Sequence, residues 1–430
     1  MSNAASFPTE LEIKPLERPI NATITPPGSK SYTNRALPIA ALANGNSTLT
    51  GALFSDDTHY MTKALLELGF EIRSDEENNT FSVQGLNGKI PRDSAKVFIG
   101  NSGTTARFLT PLMALGHGRF ELDGVPAMQK RPIQPLLEAL NTLGAQASSI
   151  HDTGCPPIRI VANGLRGGTV KMRGDLTSQV FSALLISAPY FKNGITLEVE
   201  GELVSKPYLE VTAQTMKAFG VELEIDHFER FMVKPGEYTA TNYAIEPDAS
   251  AASYFFAAAA ITGGRVVVPG LGSNSLQGDL NFVRVLEQMG CTVNQTNTQT
   301  EVIGTTNLRG VEIDMSQISD TAQTLAAVAP FASSPTRITG IGFIRRKETD
   351  RIGAVVRELQ RLGINATEED DGMMIQPGTP KPARIETYDD HRMAMSFAVL
   401  GLRTSGITIL EPGCVTKTFP KFFEVLETLR

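Results

Sequence analysis

Six similar segments follow one another along the chain, each with a polar cluster, an apolar run of helical length, a glycine and a β-rich run. The polar clusters recur about every 72 residues, a spacing typical of a repeat architecture. The pattern therefore predicts six structurally related units. Their polar clusters begin at Gly28, Gly100, Gly174, Pro247, Ser319 and Asp389.

A second series of polar clusters lies between the first and opens another helix-like run in each unit. Five of these runs end in a glycine, as expected where a helix stops at a residue with positive φ. Alternating or β-branched runs such as 195–199, 265–268 and 407–410 predict strands. Each unit is expected to run strand, helix, strand, helix, strand, strand, which gives an α/β fold. The five glycines are Gly69, Gly144, Gly220, Gly290 and Gly363.

Two short segments, 25–28 and 242–247, contain the stiff or permissive residues expected where a chain crosses between domains. One domain is expected to comprise residues 1–28 and 246–430, with the N-terminal strand and repeats four to six. The other is expected to comprise residues 29–245, with repeats one to three. A crevice between two lobes is the default place for a small ligand.

The composition is that of an ordinary globular protein, with 41% hydrophobic residues among 430. Lysine and arginine number 39 against 46 acidic residues, a net charge of -7, so nucleic acid is not an expected partner. Apolar stretches such as 254–261 are shorter than the roughly 20 residues of a membrane span. Residues 1–4 lack the pattern of a secretory signal, so we expect a cytoplasmic location.

The cysteines and histidines give no metal or disulfide pattern. Cys155, Cys291 and Cys414 are odd in number and far apart, which is typical of reduced thiols. The chain has five histidines, and none is paired with cysteine at a metal-ligand spacing. A structural metal is therefore not expected.

Cationic side chains recur at or within about two turns of the start of predicted helices. Because a helix N-terminus already carries a partial positive charge, a cation there is unfavourable for the helix and suggests a function. Such positions suit phosphate and carboxylate ligands, which arginine binds through a bidentate fork. Any one of these residues alone could equally be a solvated surface charge. The set comprises Lys30, Arg35, Arg107, Arg131, Lys347, Arg351, Arg392 and Lys417.

Two acidic residues accompany these cations. On a helix, Lys347 and Arg351 are four residues apart and share a face, with Glu348 beside them, so Glu348 could exchange a proton with a bound anion. A salt-bridged surface turn is the alternative interpretation. Asp320 begins the fifth repeat and is a second candidate carboxyl, with a helix N-cap as its alternative.

Two glycine-containing motifs do not indicate a nucleotide site. Residues 28–31 lack the Gly-Lys pair and the upstream glycine of a P-loop. Residues 100–105 lack the dinucleotide fingerprint, and we interpret them as backbone amides open to a small anion.

Several motifs in this order and spacing closely resemble the 5-enolpyruvylshikimate-3-phosphate (EPSP) synthase family over nearly the full chain. The resemblance implies two domains, each of three βαβαββ repeats that form an inside-out α/β barrel, with the active site in the interdomain cleft. The motifs are Pro27-Gly28-Ser29-Lys30-Ser31 with Asn34-Arg35, Gly100-Asn101-Ser102-Gly103-Thr104-Thr105-Ala106-Arg107, Arg131-Pro132, Lys347-Glu348-Thr349-Asp350-Arg351, Asp390-His391-Arg392-Met393 and Lys417-Thr418-Phe419-Pro420.

The resemblance also implies the reaction: transfer of the enolpyruvyl group of phosphoenolpyruvate to the 5-hydroxyl of shikimate 3-phosphate, with release of phosphate. No metal or organic cofactor is implied. Domain closure is expected to bring the two substrates together and exclude water. A monomer is expected.

The resemblance assigns residues to each substrate, with Lys30 reaching both. Asp320 is the implied base and Glu348 the implied acid, while Lys30 and Lys417 would stabilise charge on the attacking and leaving groups. The implied contacts to shikimate 3-phosphate are Ser31, Arg35, Thr177, Ser178, Gln179, Ser205, Asp320 and Lys347. Those to phosphoenolpyruvate are Asn101, Gly103, Arg131, Gln179, Arg351, Arg392 and Lys417.

The chain departs from the family pattern in places. Phe343 stands where many relatives have asparagine, Phe108 where some have proline, and Thr177 replaces a serine while keeping the hydroxyl. Gly103 would leave room beside phosphoenolpyruvate, so we expect sensitivity to the inhibitor glyphosate.

Two other functions stay open. A related enolpyruvyl transferase acts on UDP-N-acetylglucosamine, but it usually carries a cysteine in the loop before its Arg-Pro pair, and residues 116–130 contain none. A non-catalytic or RNA-binding repeat protein is the second alternative, which the acidic net charge and the pair Asp320 and Glu348 disfavour.

Overall fold

The structure, a computed structural model, describes residues 7–175 and 177–430. The chain forms two compact units. One contains the described residues up to Pro27 together with Pro247–Arg430, and the other is Gly28–Glu246. Within the described part of the chain, no helix has the length and apolar character needed to cross a membrane.

The described residues contain 23 strands, numbered in chain order. They are β1 (Glu10–Ile13), β2 (Asn21–Thr23), β3 (Asn44–Thr50), β4 (Glu71–Asp75), β5 (Thr80–Leu86), β6 (Ser94–Phe98), β7 (His117–Asp123), β8 (Gln146–Ser149), β9 (Ile158–Asn163), β10 (Gly168–Arg173), β11 (Ile195–Glu200), β12 (Glu224–Asp226), β13 (Arg230–Val233), β14 (Asn242–Ala244), β15 (Arg265–Pro269), β16 (Thr292–Gln295), β17 (Gln299–Ile303), β18 (Glu312–Asp314), β19 (Thr336–Thr339), β20 (Ala366–Glu369), β21 (Gly372–Ile375), β22 (Ala383–Ile385) and β23 (Ile407–Leu410).

The helices alternate with these strands. The α-helices are α1 (Lys30–Leu42), α2 (Asp56–Glu67), α3 (Gly103–Ala114), α4 (Gln134–Thr142), α5 (Ser178–Ser187), α6 (Pro207–Ala218), α7 (Ala249–Thr262), α8 (Phe282–Gln288), α9 (Ala322–Val328), α10 (Arg351–Arg361), α11 (His391–Gly401) and α12 (Phe422–Glu427). Short 3-10 helices lie at Met128–Lys130, Ala188–Tyr190, Gly278–Asn281, Ser319–Thr321, Ala329–Phe331, Gly342–Arg346 and Pro412–Lys417.

Six small sheets repeat one pattern, in which a parallel pair of strands continues into an antiparallel strand. In Gly28–Glu246 the strand orders are β14-β3-β5-β4, β6-β7-β9-β8 and β10-β11-β13-β12. In the other unit they are β16-β17-β15-β2, β18-β19-β21-β20 and β1-β23-β22.

Three of the sheets are completed by strands distant in sequence. β14 pairs in parallel with β3 and so supplies the first strand of the first repeat. β2 does the same for β15 in the fourth repeat, and β1 pairs antiparallel with β23 in the sixth. The linear pattern does not show which strands these three pair with, because each partner lies far away in the sequence.

The core of each unit is built around three central helices, α1, α3 and α5 in one and α7, α9 and α11 in the other. α3 and α9 are buried along their whole length, as expected for helices surrounded by other elements. The five glycines predicted to stop outer helices all have positive φ, between 76° and 108°, which confirms that prediction.

Candidate active site

In the unit Gly28–Glu246, Lys30 is the first residue of α1, next to the N-terminus of α2. Its Nζ lies 3.5 Å from Oδ2 of Asp57, which is almost fully buried. Ser31 follows Lys30, and its carbonyl oxygen accepts a hydrogen bond from Nη1 of Arg35 at 2.9 Å. The ion pair with Asp57 holds the lysine at the helix start, where the partial charge of the helix would otherwise disfavour it.

Arg35 is buried, and its guanidinium donates hydrogen bonds to protein oxygens. Nε donates to Thr212 Oγ1 at 2.7 Å, and Nη2 donates to Ser182 Oγ and to the carbonyl of Tyr208. Burial lowers the pKa of Arg35 to about 10, so it stays charged at neutral pH. The guanidinium also lies 5.3 Å from the centre of the Phe108 ring.

Two arginines, Arg107 of α3 and Arg131, lie close to the backbone at the start of α3. Ser102 caps the helix by accepting a hydrogen bond from the Thr105 amide. Arg107 Nη1 donates to the carbonyl of Gly103 at 2.9 Å, and Arg131 Nη1 donates to that of Asn101 at 3.3 Å. A Cβ at position 103 would lie 2.5 Å from Arg131 Nη2 and 2.8 Å from Arg107 Nη1, so a glycine is required for this arrangement.

The predicted residues at the start of α5 lie beside this loop. Thr177 caps the helix by accepting from the Gln179 amide, and Ser178 is the first helical residue. Gln179 Nε2 donates to Thr104 Oγ1 at 3.4 Å and thereby links α5 to α3. Ser205 is buried before α6 and has φ of 57°.

In the other unit, Arg351 is the centre of a buried cluster of charges. It is 2% exposed. Nε donates to Asp390 Oδ2 at 2.7 Å, Nη1 to Asp320 Oδ1 at 3.2 Å and Nη2 to Glu348 Oε2 at 2.8 Å. Burial alone would lower the pKa of Arg351, but the three carboxylates raise it above its ordinary value.

Two further cations complete this cluster. Arg392 Nη2 donates to Asp320 Oδ2 at 2.7 Å, and its Nη1 donates to the carbonyl oxygen of Asp320 at 2.9 Å. Lys417 Nζ lies 3.6 Å from Glu348 Oε1. Both predicted proton-transfer carboxyls, Asp320 and Glu348, therefore contact one guanidinium and each has a second cationic neighbour.

Two sequence-based interpretations in this cluster are wrong. Lys347 and Arg351 do not share a helix face, because Asp350 caps α10 and the helix begins only at Arg351. Lys347 instead lies at the end of the 3-10 helix Gly342–Arg346, with Nζ 5.8 Å from the centre of the Phe343 ring. Asp320 is not an N-cap, since it lies within a 3-10 helix and its carboxylate accepts from two arginines.

Three acidic residues that were not among the predicted site residues lie beside them in the structure. Asp57 contacts Lys30 and Asp390 contacts Arg351. Asp279 is buried and accepts a hydrogen bond from the Ser250 hydroxyl, and its burial together with the charge of Asp320 raises its pKa to about 7. Asp390 could have been found from the Asp-His-Arg motif, but the partners of the others are far away in sequence.

The family model of EPSP synthase (3-phosphoshikimate 1-carboxyvinyltransferase) matches residues 16–426. The chain belongs to the EPSP synthase family. It is 50% identical over 422 residues to the 3-phosphoshikimate 1-carboxyvinyltransferase of Nostoc punctiforme, covering 97% of this chain and 99% of that protein. It is 42% identical over 442 residues to a chloroplastic enzyme of Nicotiana tabacum with the same name, covering 98% of this chain and 85% of that protein.

Solved structures agree with this assignment. An EPSP synthase from Acinetobacter baumannii matches with a TM-score of 0.83 and 26% identity over 98% of both chains. The enolpyruvyl transferase NikO from Streptomyces tendae matches with a TM-score of 0.77 over 98% of both chains, at 19% identity, so it bears on the fold alone. The predicted fold class, family and enzyme activity are confirmed, and the two alternative functions are not favoured.

Proposed function

We propose that the chain transfers the enolpyruvyl group of phosphoenolpyruvate to the 5-hydroxyl of shikimate 3-phosphate, using the charged clusters of both units. The observation that supports this most directly is the contact of Asp320 and Glu348 with one buried guanidinium, that of Arg351, at 3.2 and 2.8 Å. Two carboxyls held among cations meet the needs of a reaction that moves two protons next to anionic groups.

The cations divide between the two substrates. Arg131, Arg351, Arg392 and Lys417 bind the phosphate and carboxylate of phosphoenolpyruvate, the three guanidinium groups in bidentate fashion and the lysine as a point charge. Lys30 reaches both substrates. The remaining contacts to phosphoenolpyruvate are Asn101, Gly103 and Gln179, and those to shikimate 3-phosphate are Ser31, Arg35, Thr177, Ser178, Gln179, Ser205, Asp320 and Lys347.

The chemistry proceeds in two stages. Asp320 removes the proton of the 5-hydroxyl as its oxygen bonds to C2 of phosphoenolpyruvate, and Glu348 delivers a proton to the methylene carbon. The product is a tetrahedral intermediate with a methyl group. In the second stage the methyl group returns a proton to the Glu348 carboxylate, the double bond forms again, and the bond from C2 to the phosphate oxygen breaks to release phosphate. Lys30 and Lys417 stabilise the attacking and leaving oxygens.

The ion pairs of Glu348 explain how a carboxyl among cations can act as an acid. In the structure its oxygens contact Arg351 and Lys417. When the anionic groups of phosphoenolpyruvate bind to Arg351 and Lys417, the positive charge of these two side chains no longer acts on Glu348 alone. The proton affinity of Glu348 then rises, because a carboxyl loses stabilisation of its charged form as its cationic partners turn to another anion.

Phosphate release from phosphoenolpyruvate tests the proposal, with shikimate 3-phosphate or UDP-N-acetylglucosamine as acceptor and each substrate omitted in turn. Release that requires shikimate 3-phosphate is the expected result. Release with the UDP-sugar alone, or none from the folded protein with either acceptor, would contradict it. Retained binding of shikimate 3-phosphate in the inactive Glu348→Gln variant would distinguish an enzyme from a binding protein.

Glyphosate inhibition, a monomeric state and a cytoplasmic location are further parts of this proposal. Arg131 and Arg107 crowd position 103, so a side chain there would displace the guanidinium that we assign to phosphoenolpyruvate. Glyphosate carries a phosphonate and a carboxylate, which suit these cations. Competition between glyphosate and phosphoenolpyruvate in steady-state kinetics tests the first part, and sedimentation tests the second.

A further inference from the structure

A tight turn of residues 387–390 leads into α11. The amide of Asp390 donates to the carbonyl of Thr387 at 2.9 Å, and the two central residues, Tyr388 and Asp389, both have φ of 54°. Turns with two left-handed central residues strongly favour Asn-Gly, because a Cβ is strained in this conformation. Aspartate tolerates this region better than most residues, but tyrosine is a poor local choice, so we expect contacts from outside the turn to hold Tyr388.

Those contacts come from α10. Glu358 is fully buried, and its Oε1 accepts from the hydroxyl of Tyr388 at 2.7 Å while Oε2 accepts from the amide of Glu386 at 3.1 Å. The Arg357 guanidinium lies 5.3 Å from the centre of the Tyr388 ring, and its Nε donates to the hydroxyl at 3.4 Å. A carboxylate with two donors from one short segment fixes that segment against the helix.

The turn ends in a residue of the charged cluster around Arg351. Asp390, the last residue of the turn, accepts from Arg351 Nε at 2.7 Å and from the amide of Arg392 at 2.9 Å, so it both pairs with one arginine and caps the helix that carries the other. Glu358 and Arg351 are seven residues apart on α10, about two helical turns, and so lie on the same face. α10 therefore contacts this segment at two points, through Arg351 and through Glu358.

We propose that Glu358 and Tyr388 are positioning residues, which hold the strained turn and thereby place Arg351 and Arg392 for the anion of phosphoenolpyruvate. This inference rests on the proposed function. Neither residue takes part in the proton transfers or contacts a substrate in that proposal. Their effect reaches the substrate through Asp390 and its bonds to the two arginines.

Removing the hydroxyl of Tyr388 tests the proposal with the smallest change. In Tyr388→Phe, Glu358 loses one donor and the turn loses a restraint, so we expect the KM for phosphoenolpyruvate to rise about tenfold, as for one charged hydrogen bond. The KM for shikimate 3-phosphate is expected to change less than about twofold, since most of the residues assigned to this substrate belong to the unit Gly28–Glu246, whereas the turn belongs to the other unit. A purely structural role would lower the amount of active enzyme and leave both KM values unchanged.

Tyr238→Phe is the matched control. The Tyr238 hydroxyl donates to the carbonyl of Ile186 at 2.9 Å in the unit Gly28–Glu246 and is fully buried. Its loss also removes one buried hydrogen bond, but we expect both KM values to remain close to those of the wild type.

A second substitution tests whether strain in the turn is the cause. Glycine adopts the left-handed region without the Cβ penalty, so Asp389→Gly makes the turn favourable without its outside contacts. In the Tyr388→Phe background, Asp389→Gly is expected to bring the KM for phosphoenolpyruvate most of the way back. Asp389→Gly alone is expected to change this KM less than about twofold.

The outcomes separate this inference from the proposed function. If the wild type turns over both substrates and Tyr388→Phe leaves the KM for phosphoenolpyruvate unchanged, the positioning role is wrong and the function stands. If the wild type shows no turnover, the function fails, and amide hydrogen exchange decides the positioning role. Faster exchange in residues 386–392 of Tyr388→Phe than of Tyr238→Phe would support it, and equal exchange would overturn it.

Discussion

Alanine at position 103 would place a methyl group between Arg131, which we assign to phosphoenolpyruvate, and Arg107. The methyl carbon would lie 2.5 Å from Arg131 Nη2 and 2.8 Å from Arg107 Nη1, whereas ordinary van der Waals contact begins near 3.4 Å. These two contacts are too short by about 0.9 and about 0.6 Å, so both guanidinium groups must be displaced. Position 103 is outside the left-handed region, so alanine itself fits the backbone.

Arg131 is expected to move further than Arg107. Its Nη1 bond to the carbonyl of Asn101 is long, at 3.3 Å, while Arg107 makes a 2.9 Å bond to the carbonyl of Gly103. A charged hydrogen bond contributes about 1.5 to 3 kcal/mol, so misplacing the Arg131 contact to the substrate raises the KM for phosphoenolpyruvate by about 10- to 100-fold. We expect stability to change by less than about 1 kcal/mol, because the shift involves side-chain ends.

Initial rates of phosphate release, with each substrate varied at saturating levels of the other, measure both KM values. Gly236→Ala is the control, because the nearest atom to its added methyl carbon is the carbonyl oxygen of Lys234 at 4.0 Å. A KM for phosphoenolpyruvate within twofold of the wild type would refute the assignment of Arg131. The same variant bears on glyphosate, since unchanged inhibition would contradict the proposed inhibitor site.

Three other substitutions test acidic residues of the unit that contains Pro247–Arg430. Because the pKa of Asp279 is raised to about 7 in the folded state, the folded protein keeps a proton that the unfolded chain loses near pH 4. Stability therefore falls as the pH rises from about 4 to about 7, by on the order of 4 kcal/mol. Asp279→Asn should remove this part of the slope in urea unfolding at a series of pH values. Glu348→Gln should lower kcat by about 100-fold or more while the Kd for shikimate 3-phosphate, from calorimetry, stays within about threefold. Asp390→Asn should destabilise the protein by about 3 kcal/mol in urea, because it leaves buried Arg351 with less compensation, whereas Asp226→Asn in an exposed ion pair should have little effect.

The repeat pattern and the glycines could be predicted because both are local properties of the chain. A helix that stops at a left-handed residue needs glycine wherever it occurs, and Gly69 and Gly363 illustrate this with φ of 96° and 76°. The pairing of β14 with β3 could not be predicted in this way, since their residues lie almost 200 positions apart. Helical or strand periodicity carries no information about which distant strand completes a sheet.

The site could be predicted as a set of residues but not as a set of contacts. The four-residue spacing of Lys347 and Arg351 suggested one helix face, but spacing has this meaning only inside a helix, and Asp350 caps the helix before Arg351. The partners of Arg35 could not be foreseen either, since Thr212 lies 177 positions away. Motifs thus identify which groups are charged, and folding decides which of them meet.

The contacts of Arg351 show why this cluster is better explained by function than by stability. Removing a guanidinium and carboxylates from water costs several kcal/mol per ion, and well-packed apolar side chains of similar volume are often as stable or more so. An arginine that is 2% exposed and contacts Asp320, Glu348 and Asp390 therefore does not owe its place to the stability of the fold. The proposed function gives these cations another purpose, since in it the phosphate and carboxylate of phosphoenolpyruvate take the place of their carboxylate partners. Under that proposal, binding of the anion and proton transfer by Glu348 would be coupled through the side chain of Arg351.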